Sequence, residues 1–216
     1  ITGAVGSKKT EIIETIFGLR KKDNGKIIIN GKNVKNINPR KAISMNISLV
    51  PEDRRNSGII YDFSVKNNST LSYLKNYTKL HSFLDFNKEK KDSMKMIDRL
   101  SIKTTSEKKL LRYLSGGNQQ KVVIAKWLLG KAKIYFFDEP TIGIDVKGKE
   151  EIYKIIRELS REGNAVVVAS SDIDEILPLV HKTIVLFKGK QMKEFSTNDV
   201  DKKTLLYLTM GGSNNE

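Results

Sequence analysis

Cysteine is absent from the 216 residues. No disulfide framework and no thiol metal site can therefore form, and the composition fits a cytosolic address. No apolar run approaches the roughly 20 residues needed to span a bilayer, and no signal-peptide pattern opens the chain. The two histidines, His81 and His181, show no ligand spacing and read as surface or packing residues. Acidic residues are outnumbered, 25 against 39 basic ones, for a formal charge of +14. Such a balance suits nucleic acid or an anionic membrane surface. The excess is scattered, however, in pairs such as Lys21-Lys22, Lys108-Lys109 and Lys202-Lys203. No basic run is interleaved with aromatics that could stack on bases, so no nucleic-acid partner is expected. There is no internal repeat and no low-complexity linker, and the length suffices for one domain with a sizeable core.

What is present centres on Leu114-Ser115-Gly116-Gly117-Asn118-Gln119-Gln120. Two glycines after a serine let the backbone pass close to a ligand. Ser115 is a good N-cap, and Asn118 to Leu129 is predicted as a helix stopped by Gly130. Bare N–H groups and a positive helix end then face outward, an arrangement that binds anions, phosphate above all. The plain alternative is an ordinary capped helix after a Gly-Gly loop. A few turns later an apolar run, Ile134 to Phe137, ends in Asp138-Glu139-Pro140-Thr141.

Together these segments resemble the signature and Walker B motifs of an ABC-type ATPase. The Asn-Gln-Gln ending is similar to the ATP-binding subunits of bacterial importers for simple sugars such as ribose, galactose and xylose. Those subunits carry two nucleotide-binding halves, and the resemblance, over nearly the whole chain, is to the second. It implies an α/β fold of the P-loop NTPase type. The expected form is a mainly parallel sheet flanked by helices, with an antiparallel edge hairpin and an inserted helical subdomain. Residues 1–63 and 114–216 would be the ATPase core, and 64–113 the helical subdomain. Ile1 falls where a buried strand should end, so the chain is expected to begin inside the domain. The family's earlier strands and their adenine-stacking aromatic would then be missing.

Gly3-Ala4-Val5-Gly6-Ser7-Lys8-Lys9-Thr10 nearly matches the phosphate loop G-x-x-x-x-G-K-[ST]. Lys9 would reach the outer phosphates of ATP, and Thr10 would give its hydroxyl to Mg²⁺. Lys8 stands where the last glycine belongs, adding bulk where backbone should approach phosphate. The alternative is a vestigial loop. Glu52, in Pro51-Glu52-Asp53-Arg54-Arg55, matches a metal-contacting glutamine of the family; a solvated acidic-basic turn is the plain alternative. By the resemblance Asp138 holds Mg²⁺ through water and Glu139 polarises the attacking water. Leu114, Ser115, Gly116, Gly117 and Gln119 would face the ATP held by the partner half. By the resemblance Asp145 lies in the family's D-loop, with Ile142 in place of an arginine; it is expected to cap the following helix, with contact to the opposite site as the further role. Ser171 stands at the switch position, usually a histidine.

Elsewhere Ile12, Ile13, Ile16 and Phe17 predict a helix stopped by Gly18. Lys26 to Ile29 lies between two turn signals and predicts a hairpin. Asn38-Pro39 opens a helix, and Ile47 to Val50 is a strand. Met94, Ile97 and Leu100 mark a helix following Asn87. Tyr73, Tyr77, Phe83 and Phe86 are assigned mainly to core packing, with partner contact as the alternative. Ile152, Ile155, Ile156 and Leu159 form a helical core stripe. Ala165 to Ala169 is a buried strand, Thr183–Phe187 and Gln191–Phe195 a closing hairpin, Asp201–Met210 a last helix and Gly211–Glu216 a frayed tail.

The function this implies is ATP binding and hydrolysis powering sugar import from the cytoplasmic side of the membrane. Partners would be the other nucleotide-binding half, paired head to tail, the permease subunits and, indirectly, a periplasmic or lipoprotein sugar-binding protein. The signature would complete the partner's site, and this half's own loop site would be degenerate. Alternatives are a non-catalytic docking half, a nucleoside-importer ATPase, or a soluble ABC ATPase acting on nucleic acid.

Overall fold

The computed structural model describes residues 1–78 and 83–212. His81 and residues 213–216 of the expected tail lie outside them. The first helix, α1 (Lys9–Phe17), stops where Gly18 takes φ 87°. Its buried face is Lys9, Ile13 and Phe17, while Ile12 and Ile16 are half-buried. Strands β1 (Ile28–Ile29) and β2 (Lys32–Asn33) pair antiparallel, a shorter hairpin than the 26–29 run predicts. Helix α2 (Pro39–Ser44) is capped by Asn38, whose Oδ1 accepts from the Lys41 N–H at 2.9 Å. There follow β3 (Ile47–Val50), α3 (Val65–Thr70), α4 (Phe86–Arg99), α5 (Gly116–Leu128), β4 (Ile134–Asp138), α6 (Val146–Arg161) and β5 (Ala165–Ala169). The chain closes with α7 (Ile173–Ile176), β6 (Lys182–Phe187), β7 (Lys190–Ser196) and α8 (Lys202–Thr209).

β4 pairs with β3 on one side and β5 on the other, both parallel. Parallel neighbours need long crossovers, and the helical segments supply them. β6 and β7 form an antiparallel hairpin. Thr2 joins the two sheets, bridging Ser170 after β5 and Val185 in β6. The result is the expected α/β class: a parallel sheet flanked by helices, with antiparallel hairpins.

Tyr135, Phe136 and Phe137 are buried, as a continuous apolar run in a central strand requires. β5 differs from expectation: Ala165 is exposed, and Val166 and Val167 are half-buried. Its described ladder lies only on the β4 side, and its burial rises towards Ala169, where the Ser170 N–H meets the Ile1 carbonyl at 3.1 Å. On α6 the residues Ile152, Ile155, Ile156 and Leu159 are all buried, at the predicted helical spacing. Behind the sheet α5 buries Val122 to Leu128, and Trp127 meets the Phe17 ring edge-on at 5.7 Å.

Between β3 and α5 the chain is mainly helical. α4 starts at Phe86, one residue before Asn87, because Asp85 caps it through the Lys88 N–H at 3.0 Å. Glu89 is buried between α3 and α4, bonded to Lys66 Nζ at 2.6 Å and Thr70 Oγ1 at 2.7 Å. Of the four aromatics assigned to packing, Tyr77 is buried and Tyr73 meets Trp127 at 6.2 Å. Phe83 and Phe86 are not core residues: they are 73% and 63% exposed. The Phe86 ring is met by the Lys66 ammonium, 5.2 Å from its centroid, not by an apolar partner layer.

Candidate functional site

The turn from Gly3 to Lys8 is folded by its own backbone. The Ser7 N–H donates to Ala4 O at 3.0 Å, and the Gly189 N–H donates to Ser7 O at 3.1 Å, so the β6–β7 hairpin braces the turn. A Cβ on Gly3 would lie 2.5 Å from both Leu186 O and Ser7 Oγ, so only glycine fits. Gly6 and Lys8 both hold positive φ, 82° and 76°. For lysine that conformation is strained. Lys8 turns its charge onto Glu11 at 2.9 Å, away from the turn's interior. Ser7 Oγ is buried with no hydrogen-bond partner among the described residues.

Lys9 and Thr10, at the start of α1, point to the end of β4. Lys9 is 6% exposed, and its Nζ lies 3.1 Å from Glu139 Oε1. Thr10 Oγ1 lies 3.2 Å from both Glu52 Oε2 and Asp138 Oδ1. Glu139 holds φ 43°, and its carboxylate accepts the Ser171 N–H at 2.8 Å. The Asp138 carboxyl is pushed up to about 7, by burial first and then by the charges of Glu52 and Glu139. Lys9 and the Thr10 hydroxyl oppose that shift. A strand end thus gathers three carboxylates, one ammonium and one hydroxyl, the place where open α/β sheets keep ligands.

Among the described residues no cluster of three carboxylate or histidine groups is arranged to hold a metal. The set Thr10, Glu52 and Asp138 nevertheless fits Mg²⁺, a hard cation that takes oxygen ligands and keeps several waters. The carboxylate crowding that raises Asp138 is what a divalent cation relieves. The loop likewise fits a phosphate, which the outward N–H groups of a helix start and the orphaned Ser7 hydroxyl can meet.

The second turn stands apart. α5 begins at Gly116, two residues earlier than predicted, so both glycines lie in its first turn. The Ser115 side chain makes no cap bond to the helix; its Oγ accepts from Asn118 Nδ2 at 2.8 Å. Gly116, Gly117, Gly143, Asp145 and Gly148 line a hollow of 320 Å³. Leu114 and Gln119 do not face it. Leu114 is 7% exposed, and Gln119 is buried with its Nε2 donating to Leu111 O and Leu114 O, both at 3.1 Å. Asp145 caps α6 through the Gly148 N–H at 2.8 Å.

The family model described as ABC transporter matches residues 1–142. The chain belongs to the ABC transporter family. It is 40% identical, over its whole length, to a galactose/methyl galactoside import ATP-binding protein of Clostridium perfringens, of which it covers 43%. It is 42% identical, over 97% of its length, to a ribose import ATP-binding protein of Caldanaerobacter subterraneus subsp. tengcongensis, covering 42% of it. The chain therefore spans under half the length of these relatives. In fold it is similar to a dimeric ATP-binding cassette in a post-hydrolysis state bound to ADP and Pi. The TM-score is 0.77 at 22% identity, covering 91% of this chain and 83% of that one. A second cassette, in its ADP conformation, gives 0.78 at 21%, covering 97% and 86%.

In this ABC family chain the residues named by the motifs are held by others that the motifs do not name. Ser170 Oγ donates to Glu175 Oε2 at 2.8 Å and lies 3.4 Å from Glu139 Oε2. Glu175 is buried and is also met by Thr141 Oγ1 and by Lys149 Nζ at 2.9 Å. Burial would raise its carboxyl, but hydrogen bonds from Thr141, Lys149, Ser170 and Tyr153 hold it below the usual value. Ser171, the expected switch position, reaches Glu139 through its backbone N–H while the residue itself is exposed. Neither Ser170 nor Glu175 belongs to a periodic pattern, so only the fold shows them.

Asp138 yields a testable stability effect. Its folded value, about 7, lies above the ordinary aspartate value, so the fold favours the neutral form. Stability is then lost as pH rises from about 4 to 7 and stays lost above that. Asp138→Asn is expected to stabilise the metal-free protein by about 1–3 kcal/mol at pH 8 and to be near neutral at pH 4. Urea melts at the two pH values check this, and an equal shift at both would contradict it.

Proposed function

We propose that this chain is the second nucleotide-binding half of the ATP-binding subunit of a simple-sugar importer. Its support is the 40% identity, over the whole chain, to a galactose/methyl galactoside import ATP-binding protein more than twice as long. Residues 1–63 and 114–216 would form the ATPase core and 64–113 the helical subdomain. The other half would pair with it head to tail. Permease subunits would be its membrane partners, with a sugar-binding protein acting through them. Among the described residues no helix is long and apolar enough to cross a membrane, which suits a peripheral place on the cytoplasmic side.

The two turns would take unequal roles. Ser115, Gly116 and Gly117 open onto a free hollow and would receive the outer phosphate of ATP held by the other half's loop. Leu114 and Gln119 would brace that turn from inside. In this half's own site, Gly3, Gly6 and Ser7 would shape the phosphate cradle, and Lys9 would turn from Glu139 to the phosphates. Thr10, Asp138 and Glu52 would hold Mg²⁺, which when bound offsets phosphate charge. Glu139, fixed by the Ser171 N–H, would then take a proton from the attacking water. Asp145 would fix the D-loop by capping α6. Lys8, strained at φ 76°, and Ser171, which lacks an imidazole, would leave this site weak.

The test is the double replacement Lys8→Gly and Ser171→His in the full-length protein. Glycine relieves about 1 kcal/mol of backbone strain and bares the loop for phosphate. Turnover is expected to rise severalfold, with nucleotide bound more tightly at this half. Unchanged turnover would argue against a loop-limited site.

A further inference from the structure

Arg54 is almost fully buried, at 8% exposed, yet no carboxylate lies within ion-pair distance of it among the described residues. It opens a π-helical turn, Arg54–Gly58, that Asp53 caps through the Arg55 and Asn56 N–H groups, so the neighbouring acid is already engaged. The guanidinium crosses to the D-loop, where Nη1 donates to Ile142 O at 2.7 Å. Its Nε is buried without a partner. Its Nη2 lies against Gly116: a Cβ there would come within 2.9 Å of it. So the glycine at the start of α5 makes room for a charge, not only for a ligand. A buried, uncompensated guanidinium is costly. Here it stands beside a helix N-terminus, which is already positive. Two like fields converge, and the nearby charge of Asp53 offsets them only in part, without an ion pair to the guanidinium.

We propose that Arg54 is a positioning residue that braces Ile142 and adds a fixed positive charge behind the Ser115–Gly117 turn, for a phosphate brought by the partner half. This deepens the reading above and rests on it. The counter-charge arrives with the ligand, which makes the buried cation tolerable only in part until then. The same short segment also carries Glu52, 3.2 Å from Thr10 of this half's own loop. Glu52 and Arg54 therefore place one segment against both turns, so a shift of Glu52 towards a cation bears directly on the hold that Arg54 has on the signature turn.

The experiment compares Arg54→Gln and Arg54→Lys in the full-length protein, with ATP for turnover and ADP for binding. Charge-assisted hydrogen bonds of this kind convert to about 10- to 100-fold in affinity. Arg54→Gln is expected to raise the ATP concentration for half-maximal turnover by that factor. Arg54→Lys keeps it within about threefold, since the charge remains. ADP, which lacks the outer phosphate, binds both variants as it binds the parent. An equal loss in Arg54→Lys, or a parallel loss of ADP binding, overturns the assignment. So does an unchanged Arg54→Gln while Ser115→Arg is inactive, and the pairing then still stands. If Ser115→Arg is itself silent, the pairing fails and this proposal falls with it.

Discussion

Ser115→Arg is expected to lower ATP turnover of the full-length protein by about 100-fold or more, the scale of losing one anion-stabilising donor or worse. The substitution acts on a hollow, not on the fold. Ser115 is exposed, its backbone sits at φ −62° and ψ 157°, and its side chain makes no cap bond to α5. Exposed changes of that kind stay within about 0.5 kcal/mol of neutral. An arginine there fills the 320 Å³ space in front of Gly116 and Gly117 and keeps a phosphate from their N–H groups. The companion change, Glu139→Gln, would remove the proposed base of this chain's own site. It is expected to cost only about two- to tenfold, because a site limited by its loop carries a minor share of turnover. Loss from Ser115→Arg alone, with Glu139→Gln fully active, would favour a purely structural half. A silent Ser115→Arg would contradict the pairing of this turn with a partner's nucleotide.

How much of this was legible in the sequence depended on whether a feature was periodic, apolar or carried by glycine. β4 opens with an unbroken apolar run, β3 is apolar except for Ser48, and α6 repeats its apolar residues at helical spacing, so pattern alone placed them. Burial was legible only where neighbours are local. β5 reads as wholly buried, but its first residues are open because burial depends on what lies beyond its edge. Phe83 and Phe86 read as core, since a ring does not announce whether a second layer exists to cover it. At the site, the motifs named the residues that converge: Lys9, Thr10, Glu52, Asp138 and Glu139 meet within hydrogen-bond distances. The start of α5 lies two residues before the expected one: glycine is a weak helix former, but it is tolerated in the first turn, where Gly116 and Gly117 stand. Nothing in the sequence marks Gln119 as facing inward; its Nε2 donates to Leu111 O and Leu114 O in the turn before α5. Arg54 and Glu175 are invisible as partners because they bond across long stretches of chain, to Ile142 and Thr141, while the Ser170–Glu175 bond is local but follows no periodic pattern.

The largest stability effect is expected at the buried pair Lys9 and Glu139. Both are under a tenth exposed, and they sit 3.1 Å apart. Lys9→Met keeps the apolar stem but strands the carboxylate with only the Ser171 N–H and the distant Ser170 hydroxyl. Breaking a buried pair from one side costs about 3–5 kcal/mol, because the remaining charge stays out of water. Glu139→Gln is expected to cost less, about 1–2 kcal/mol: its carbonyl still accepts the Ser171 N–H, and the stranded ammonium retains Gly3 O at 3.5 Å. The double variant should then be more stable than the two single losses predict, by about 2 kcal/mol. Denaturant melts of all four proteins measure that coupling, and additivity within about 0.5 kcal/mol would show the pair to be energetically idle. A coupled pair has a consequence for binding. On the proposed reading, phosphate would compete with Glu139 for the Lys9 ammonium, so part of its binding energy would go to separating them. Removing the carboxylate's charge removes that competition. Glu139→Gln is therefore expected to bind nucleotide at this half severalfold more tightly even as it turns it over more slowly, an opposition that simple misfolding of the site cannot produce.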